Sequence, residues 1–441
     1  MMQNNSFKIT QILNDLNVET LASSTQFKKR KPIKINATDF LVSFCHMMYG
    51  GKFSLRNWAS CLSSITGKII SFQALAKKLQ FRHLHFTQTV LTRALEHKFC
   101  STTNISISDL FVKFGRVLLE DSSCIQLADI LHGSFPGPKL PYGQSSIAKI
   151  QFVTDIKSNS YQSIHLSNFC ENDRAHSNQI LNQLQPNDLI IRDLGYFVIN
   201  VFRQIEKRSA YFLSRYNMPA LLYNMGSGEE IDLVKELRKL DHKGVKNIDI
   251  EVLLGKKEKY KIRLVAFKLN NNQSKIRLNH AIKSRHNNKT LSERAKYLST
   301  WNIFITNVAK EEWSTNQVYQ AYSFRWHIEM TFKNWKSYFK INEFVKTCIG
   351  PNPARPEIIL NLCMTFLTID FVPKFNYYFK LILNEYNKYL SPFKFVDYLF
   401  ERFDLWPNSS EKSVLEILSR YCCFEKRKDR KNHFEKLFTF S

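Results

Sequence analysis

Tyr322-Ser-Phe-Arg325-Trp-His-Ile-Glu329-Met-Thr-Phe-Lys-Asn-Trp-Lys336 is the stretch on which the fold turns. Neither Gly nor Pro occurs from Thr315 to Asn342, and apolar residues recur at three- and four-residue steps, which predicts one continuous helix. At 100° per residue, Arg325, Glu329 and Lys336 fall at about 300°, 340° and 320° from Tyr322. An aromatic hydroxyl, two cations and one carboxylate therefore share a narrow stripe, with Phe324, Ile328, Phe332 and Trp335 offering apolar surface beside it. A basic amphipathic helix accounts for Arg325 and Glu329 as an ordinary i,i+4 pair. It does not account for the ordered set of four.

That set, Tyr–two residues–Arg–three–Glu–six–Lys, resembles the signature of the insertion-sequence-four family of bacterial DDE transposases, matched at all four positions and all three spacings. The resemblance implies that Glu329 is the third metal-binding carboxylate of a ribonuclease-H-like catalytic domain. It also implies two aspartates upstream, on the first and fourth strands of that fold.

The texture from about residue 110 supplies them. Gly115-Arg-Val-Leu-Leu-Glu-Asp121 reads as a short buried strand finishing in acid. Ile147 to Ile156 and Tyr161 to Ser167 are two further strands, separated by the hairpin-like loop Lys157-Ser-Asn-Ser160. Asn172 to Gln185 reads as a helix ended before Pro186, and Asp188-Leu-Ile-Ile-Arg-Asp193 as a strand with a sharp exit at Leu194-Gly195-Tyr196. Strand, strand, strand, helix, strand is the order of a ribonuclease-H-like fold, with Asp121 and Asp193 at the two required places. Taken singly, Asp121 also suits a strand-end turn, and Asp193 suits the start of the Asp-Leu-Gly turn. Glu120 points to the opposite face from Asp121, and Asp188 lies at the wrong end of its strand.

Composition bounds the rest. With 441 residues, 44% of them hydrophobic, the chain is globular and long enough for roughly two to four domains. Its net charge of +25 calls for a polyanionic partner, with nucleic acid first and membrane surface second. The longest apolar run, Ile358 to Val372, is expected to be too short to span a bilayer; with Asn361 and Asp370 in it, it reads as a core helix. No signal-peptide pattern is apparent at the N-terminus. Nine scattered cysteines without Cys-x-x-Cys read as reduced core thiols of a cytosolic protein, and the twelve histidines make no zinc spacing with them.

Residues up to about 105 look helical. Lys28-Lys-Arg-Lys31 is a solvated basic run. Ser54 caps a predicted helix to about Ile65, Thr66-Gly67 breaks it, and Ser71 caps a second through Leu79 that carries Lys77 and Lys78. This pair fits a helix-turn-helix DNA reader and a plain helical hairpin equally. Between Asp193 and Glu329, predicted strands at Ile248 to Leu254 and Tyr260 to Leu269, with polar turns at Asn270-Asn-Asn-Gln-Ser and His286-Asn-Asn-Lys, suggest a mostly β insertion. Trp301 to Thr306 returns as a strand just before the signature, and Lys426-Arg-Lys-Asp-Arg-Lys431 is a basic tail.

The expected organisation is a helical DNA-binding region (1–107), a catalytic domain in two parts (108–199 and 299–385) around a mostly β insertion (200–298), and a helical basic C-terminal region (386–441). Asp121, Asp193 and Glu329 would form an anionic pocket that oxygen-preferring Mg²⁺ fills, two ions in all, with Mn²⁺ as a substitute. The resemblance further implies that Arg325 and Lys336 hold phosphates of an element's ends and that Tyr322 bonds beside the scissile position. Trp301 is the candidate for stacking on an unpaired base, with a core role as the alternative. The implied activity is cut-and-paste transposition on double-stranded DNA, at terminal inverted repeats and a target. A homodimer in the bacterial cytoplasm at the nucleoid, not a membrane protein, would carry it out. A regulatory DNA binder and a structure-specific nuclease on the same fold are the rival readings.

Overall fold

The computed structural model describes residues 2–28, 34–51, 53–97, 109–141, 143–283, 291–346, 352–402, 410–425 and 435. The basic tail 426–431, the turn 286–289 and all but Lys28 of the 28–31 run lie outside them. Nine strands occur among the described residues: β1 (Val117–Gln126), β2 (Ile147–Asp155), β3 (Ser160–Asn168), β4 (Leu189–Arg192), β5 (Tyr211–Arg215), β6 (Leu222–Tyr223), β7 (Asn247–Leu254), β8 (Tyr260–Lys268) and β9 (Trp301–Thr306). The chain forms two compact units. The first comprises 1–108, 122–171 and 327–441; the second comprises 109–121 and 172–326.

In the second unit the strand order is β1-β4-β5-β9-β8-β7-β6. The pairs β1·β4 and β4·β5 are parallel and the remainder antiparallel. Leu189, Ile190 and Ile191 of β4 are wholly buried, and all of β9 is buried, which is why these strands read as unbroken apolar runs and not as alternation. Trp313 anchors the unit: it packs edge-on against Phe111 and Phe114 and donates its indole N–H to the Leu110 carbonyl at 2.9 Å. The strands foreseen at 248–254 and 260–269 are present, but 200–298 also holds the helices Leu233–His242, Asn271–Lys283 and Glu293–Leu298. The segment is thus mixed rather than mostly β. Its strands extend the sheet that β1, β4 and β5 begin instead of forming a separate body. Asn270-Asn-Asn-Gln-Ser, foreseen as a turn, instead opens a helix: Asn270 Oδ1 accepts the Gln273 amide at 2.8 Å, so the side chain caps it.

In the first unit β2 and β3 pair antiparallel, with a bulge between Val153 and Thr154. Asp155 holds their turn by accepting the amides of Lys157 and Ser158. Ser54 caps Leu55–Thr66 by accepting the Asn57 amide, and Gly67 ends that helix at φ 66°. Ser71 caps as foreseen, but its helix is short, Phe72–Ala76, and stops before Lys77. The apolar helix runs as Ala354–Phe366, a π-helical turn Leu367–Phe371, and Val372–Tyr386. At 33 residues it is long and apolar enough to cross a membrane, contrary to the expectation from the shorter apolar run. Its apolar window is 89% buried within the protein, so it is a core helix. Cys45, Cys363, Cys422 and Cys423 are buried, as core thiols would be, whereas Cys61 and Cys124 are half-buried and Cys170 is exposed, so the expectation of core thiols holds only in part.

Two helices foreseen as continuous are interrupted. Asn172–Gln185 resolves into Asp173–His176 and a 3₁₀ turn Gln179–Asn182, because the buried Arg192 guanidinium takes the Ser177 carbonyl at 2.8 Å. The signature segment resolves into Thr315–Ser323, Trp326–Lys333 and a π-helical turn Asn334–Tyr338. Phe324 and Arg325 close the first piece with tight i→i−3 bonds to Ala321 and Tyr322. A uniform 100° wheel therefore fails at two points within it.

Candidate active site

Asp121 and Asp193 are brought together by strand pairing. In the parallel β1·β4 ladder Glu120 stands opposite Arg192, and one residue further on each strand lie the two aspartates. Alternation sends Glu120 the other way, where its buried carboxylate accepts from Arg192 Nε at 2.5 Å. Asp188, at the far end of β4, is held by Arg116 at 2.5 Å. Both acidic neighbours are thus spent on structure. Asp121 is half-buried within a strand that continues to Gln126, so the strand does not end in acid as foreseen. Asp193 precedes the 3₁₀ turn Leu194–Tyr196 without capping it, which leaves its carboxylate available.

Arg325 ties the two aspartates. Its Nη1 lies 3.3 Å from Asp121 Oδ2 and its Nε 3.7 Å from Asp193 Oδ1. Tyr322, 9% exposed against Phe304, points its hydroxyl at Asp193 Oδ1 across 3.4 Å. Burial, and then the Asp193 charge, push that hydroxyl's pKa far up, so it stays protonated and acts as a donor. Two carboxylates converging on one guanidinium are hard oxygen donors suited to a divalent cation, and such a donor set fits Mg²⁺ or Mn²⁺. Among the described residues no group of three or more His, Cys, Asp or Glu side chains is gathered as a metal site.

Glu329 and Lys336 belong to the first unit and are half-buried. Their segment is fixed by Trp335, which donates to the Tyr161 hydroxyl at 3.0 Å and packs on Phe152 at 4.8 Å. Lys336 lies in the π-helical turn, and burial lowers its ammonium pKa. His327, a buried residue, is pushed down to about 4 by desolvation and stays neutral.

Three residues singled out from sequence stand differently. Trp301 is 0% exposed on β9, so its position is that of a core tryptophan and not of an open stacking platform. Lys78 turns inward: its Nζ donates to the Phe27 carbonyl at 2.9 Å and sits 4.1 Å from the Phe27 ring centroid. Lys77, just past the short helix, is exposed. Arg215 and Arg277 escaped the sequence reading, and both reach Asn302 beside Tyr322. The one available signal was Arg215 closing a short apolar strand, where a charge needs a reason.

Comparison with known proteins bears on the chain as a whole. The chain is 28% identical over 448 residues to the transposase for insertion sequence element IS231F of Bacillus thuringiensis subsp. israelensis, covering 96% of this chain and 91% of that protein. It is 26% identical to the IS231E transposase of B. thuringiensis subsp. finitimus, over 96% and 91% of the two chains. It is 29% identical to the IS1151 transposase of Clostridium perfringens, over 75% and 73%. A solved piggyBac transposase synaptic complex with hairpin DNA is similar at a TM-score of 0.41 and 10% identity, over 97% and 86% of the chains, too distant to bear on fold or function. The family profile described as "Transposase DDE domain" matches residues 113–367, more than half of the chain and both aspartate-bearing strands. A match of that extent settles membership: the chain belongs to the DDE transposases.

Proposed function

We propose that this DDE transposase excises and inserts its own insertion sequence by cutting phosphodiester bonds at the terminal inverted repeats and joining the freed ends to target DNA. Asp121, Asp193 and Glu329 are the metal-holding carboxylates. Divalent metal dependence comes with the family; Mg²⁺ is the ion proposed, with Mn²⁺ as a substitute. Bound there, two such ions would activate the attacking water or 3′-hydroxyl and stabilise the leaving oxygen. The observation that carries the reading is the convergence of Asp121 and Asp193 on one guanidinium, since paired carboxylates are costly without a cation.

The chain's own groups have distinct tasks. Asp193 is oriented by the Tyr322 hydroxyl, which can also donate to a phosphate oxygen placed beside it. Arg325 neutralises the aspartate pair and, in the DNA-bound protein, turns to a backbone phosphate, with Lys336 holding another. Such contacts fix register and carry no base sequence. Lys77 is retained as a DNA contact of the N-terminal region. Lys78 would serve only after its ammonium turns outward from Phe27, and Trp301 only after leaving its buried position. A homodimer pairing the two element ends in the bacterial cytoplasm, at the nucleoid, completes the proposal. Neither the regulatory nor the nuclease reading has an observation in its favour.

The test is cleavage of linear DNA carrying the gene's own flanks, with Mg²⁺ or EDTA. Asp121→Asn, Asp193→Asn and Glu329→Gln should each abolish metal-dependent breaks at the flank boundary while leaving DNA binding largely intact. Retained cutting by any one variant removes that residue from the site. Binding without cutting by the wild type would support a regulatory protein, and cuts scattered without regard to the flanks would support a nuclease.

A further inference from the structure

One cluster in the second unit lacks the partner its chemistry demands. Arg215 ends β5, Asn302 lies on β9, and Arg277 reaches in from the helix Asn271–Lys283. Arg277 Nη1 donates to the Trp301 carbonyl and to Asn302 Oδ1, both at 2.9 Å, and Arg215 Nη2 donates to the same Asn302 Oδ1 at 3.3 Å. Two guanidinium ions thus share one neutral amide oxygen. Among the described residues neither forms an ion pair with a carboxylate. The contrast with Arg116, Arg192 and Arg263, each seated on its own Asp or Glu, is direct. Arg215 Nε is buried and makes no hydrogen bond. Both side chains are half-buried, so an ion can reach them from solvent.

Like charges held this close repel, and a buried N–H left unmade is costly. The strain is visible on Arg277, whose pKa falls to about 10 through burial first and the Arg215 charge second. A structural clamp for the helix would need only one arginine. Lining the cluster on its other side is Tyr322, whose ring centroid is 5.9 Å from the Arg215 Cζ and whose hydroxyl faces Asp193. The pair therefore stands at the cationic end of a row that begins at the two aspartates.

We infer that Arg215, Arg277 and Asn302 form a subsite for one phosphate of the DNA strand that passes the Asp121–Asp193 pair. A phosphate entering between the two guanidiniums neutralises both, offers acceptors to two fork-shaped donor sets, and gives Arg215 Nε its missing partner. Asn302, being uncharged and so no counter-ion, spaces the forks without satisfying them. The helix Asn271–Lys283 therefore takes part in substrate binding, a role that its exposed, weakly apolar sequence does not suggest. This inference rests on the transposase reading above.

The experiment measures binding of flank DNA in EDTA across a salt series, for wild type, Arg215→Gln, Arg277→Gln and the double variant. Because the two arginines share one phosphate, each single variant and the double should flatten the log–log salt slope by the same amount, about one unit. A double-variant loss near two units would mean two separate contacts and overturn the shared subsite, as would no change in any variant. Asn302→Asp supplies the missing carboxylate in place. It should keep or raise the melting temperature while abolishing the thermal stabilisation that inorganic phosphate gives the wild type. A retained phosphate response in Asn302→Asp overturns the proposal even if the arginine variants fold poorly. If the wild type itself shows no salt-dependent binding, the transposase reading fails; if it binds and cuts while the variants match it, only this subsite fails.

Discussion

Arg325 is the residue on which the electrostatics of the aspartate pair depend. It touches both carboxylates and lies 6.0 Å from the Tyr322 ring, so one side chain neutralises, spaces and covers the pair. Replacing it by alanine leaves two carboxylates with less compensating charge. Arg325→Ala is therefore expected to lower the melting temperature in EDTA and to enlarge the gain on adding Mg²⁺, because the metal no longer competes with an internal cation. Thermal denaturation with and without metal checks this, and an unchanged metal increment would mean that Arg325 does not oppose the ion. Both aspartates were legible only through the strand order that the resemblance implies, since Asp121 alone also suits a strand-end turn and Asp193 alone the start of the Asp-Leu-Gly turn. Trp301 was not. A tryptophan on a strand buried on both faces looks the same in sequence as one offered to a base. Nor was the inward turn of Lys78, since a lysine's stem and its charge can part company and only packing shows where the ammonium goes.

At the scale of elements, β1 and β4 are joined by more than their ladder. Arg192, wholly buried, donates to Glu120 on β1 and to the Ser177 carbonyl beyond β3, and its Cζ lies 5.2 Å from the Tyr196 ring. Arg192→Met keeps the volume but strands a buried carboxylate, so a loss of about 3–5 kcal/mol is expected. Denaturant unfolding measures it, and a loss under about 1 kcal/mol would mean water reaches Glu120. At the N-terminus Glu19 accepts the Ala37 and Thr38 amides, both at 2.9 Å, opening the helix Ala37–Tyr49, and pairs with Lys28 at 2.7 Å. Burial raises the Glu19 pKa, but the bonds from Lys28 and Thr38 outweigh it and leave the carboxyl lowered. A lowered acid stabilises the fold above its unfolded pKa, near 4.5, and that contribution is lost as pH falls through the folded value. Glu19→Gln should cost about 1 kcal/mol at pH 7 and flatten the acid limb of a melting-temperature profile below about pH 4.5. A variant with an unchanged acid limb would show that Glu19 does not titrate with folding. Strands such as β9 were read to the residue because apolar runs and flanking turns mark their ends. The signature helix was not, because its interruption at Phe324–Arg325 and its π-helical turn arise from tertiary partners that leave no local pattern.

For the whole molecule, the N-terminal helices are not an appendage. Residues 1–108 share a compact unit with 122–171 and 327–441, and the contacts are specific. The Tyr49 hydroxyl donates to the buried Asp370, and Lys374 closes the triad at 2.6 Å from Tyr49 and 3.1 Å from Asp370. Tyr49 also meets Phe366 edge-on at 5.1 Å, and Phe53 lies 5.3 Å from Phe344. Removing residues before 109 would uncover one side of the apolar helix Ala354–Phe366 and leave Asp370 and Lys374 without the Tyr49 hydroxyl. The net charge of +25 makes such exposure worse, since self-repulsion opposes any partly opened state. We therefore expect the truncated protein to lose the cooperative unfolding of the first unit and to aggregate, and not merely to forfeit recognition of particular DNA ends. The second unit's sheet, whose core of Trp313, Phe111 and Phe114 is its own, should keep its protection. Hydrogen exchange read by mass spectrometry on full-length and truncated chains decides the matter. Protection lost across 354–386 but kept in β4 and β9 confirms the coupling, whereas native protection across 354–386 would show the N-terminal helices to be separable and restore them as an independent DNA-binding domain.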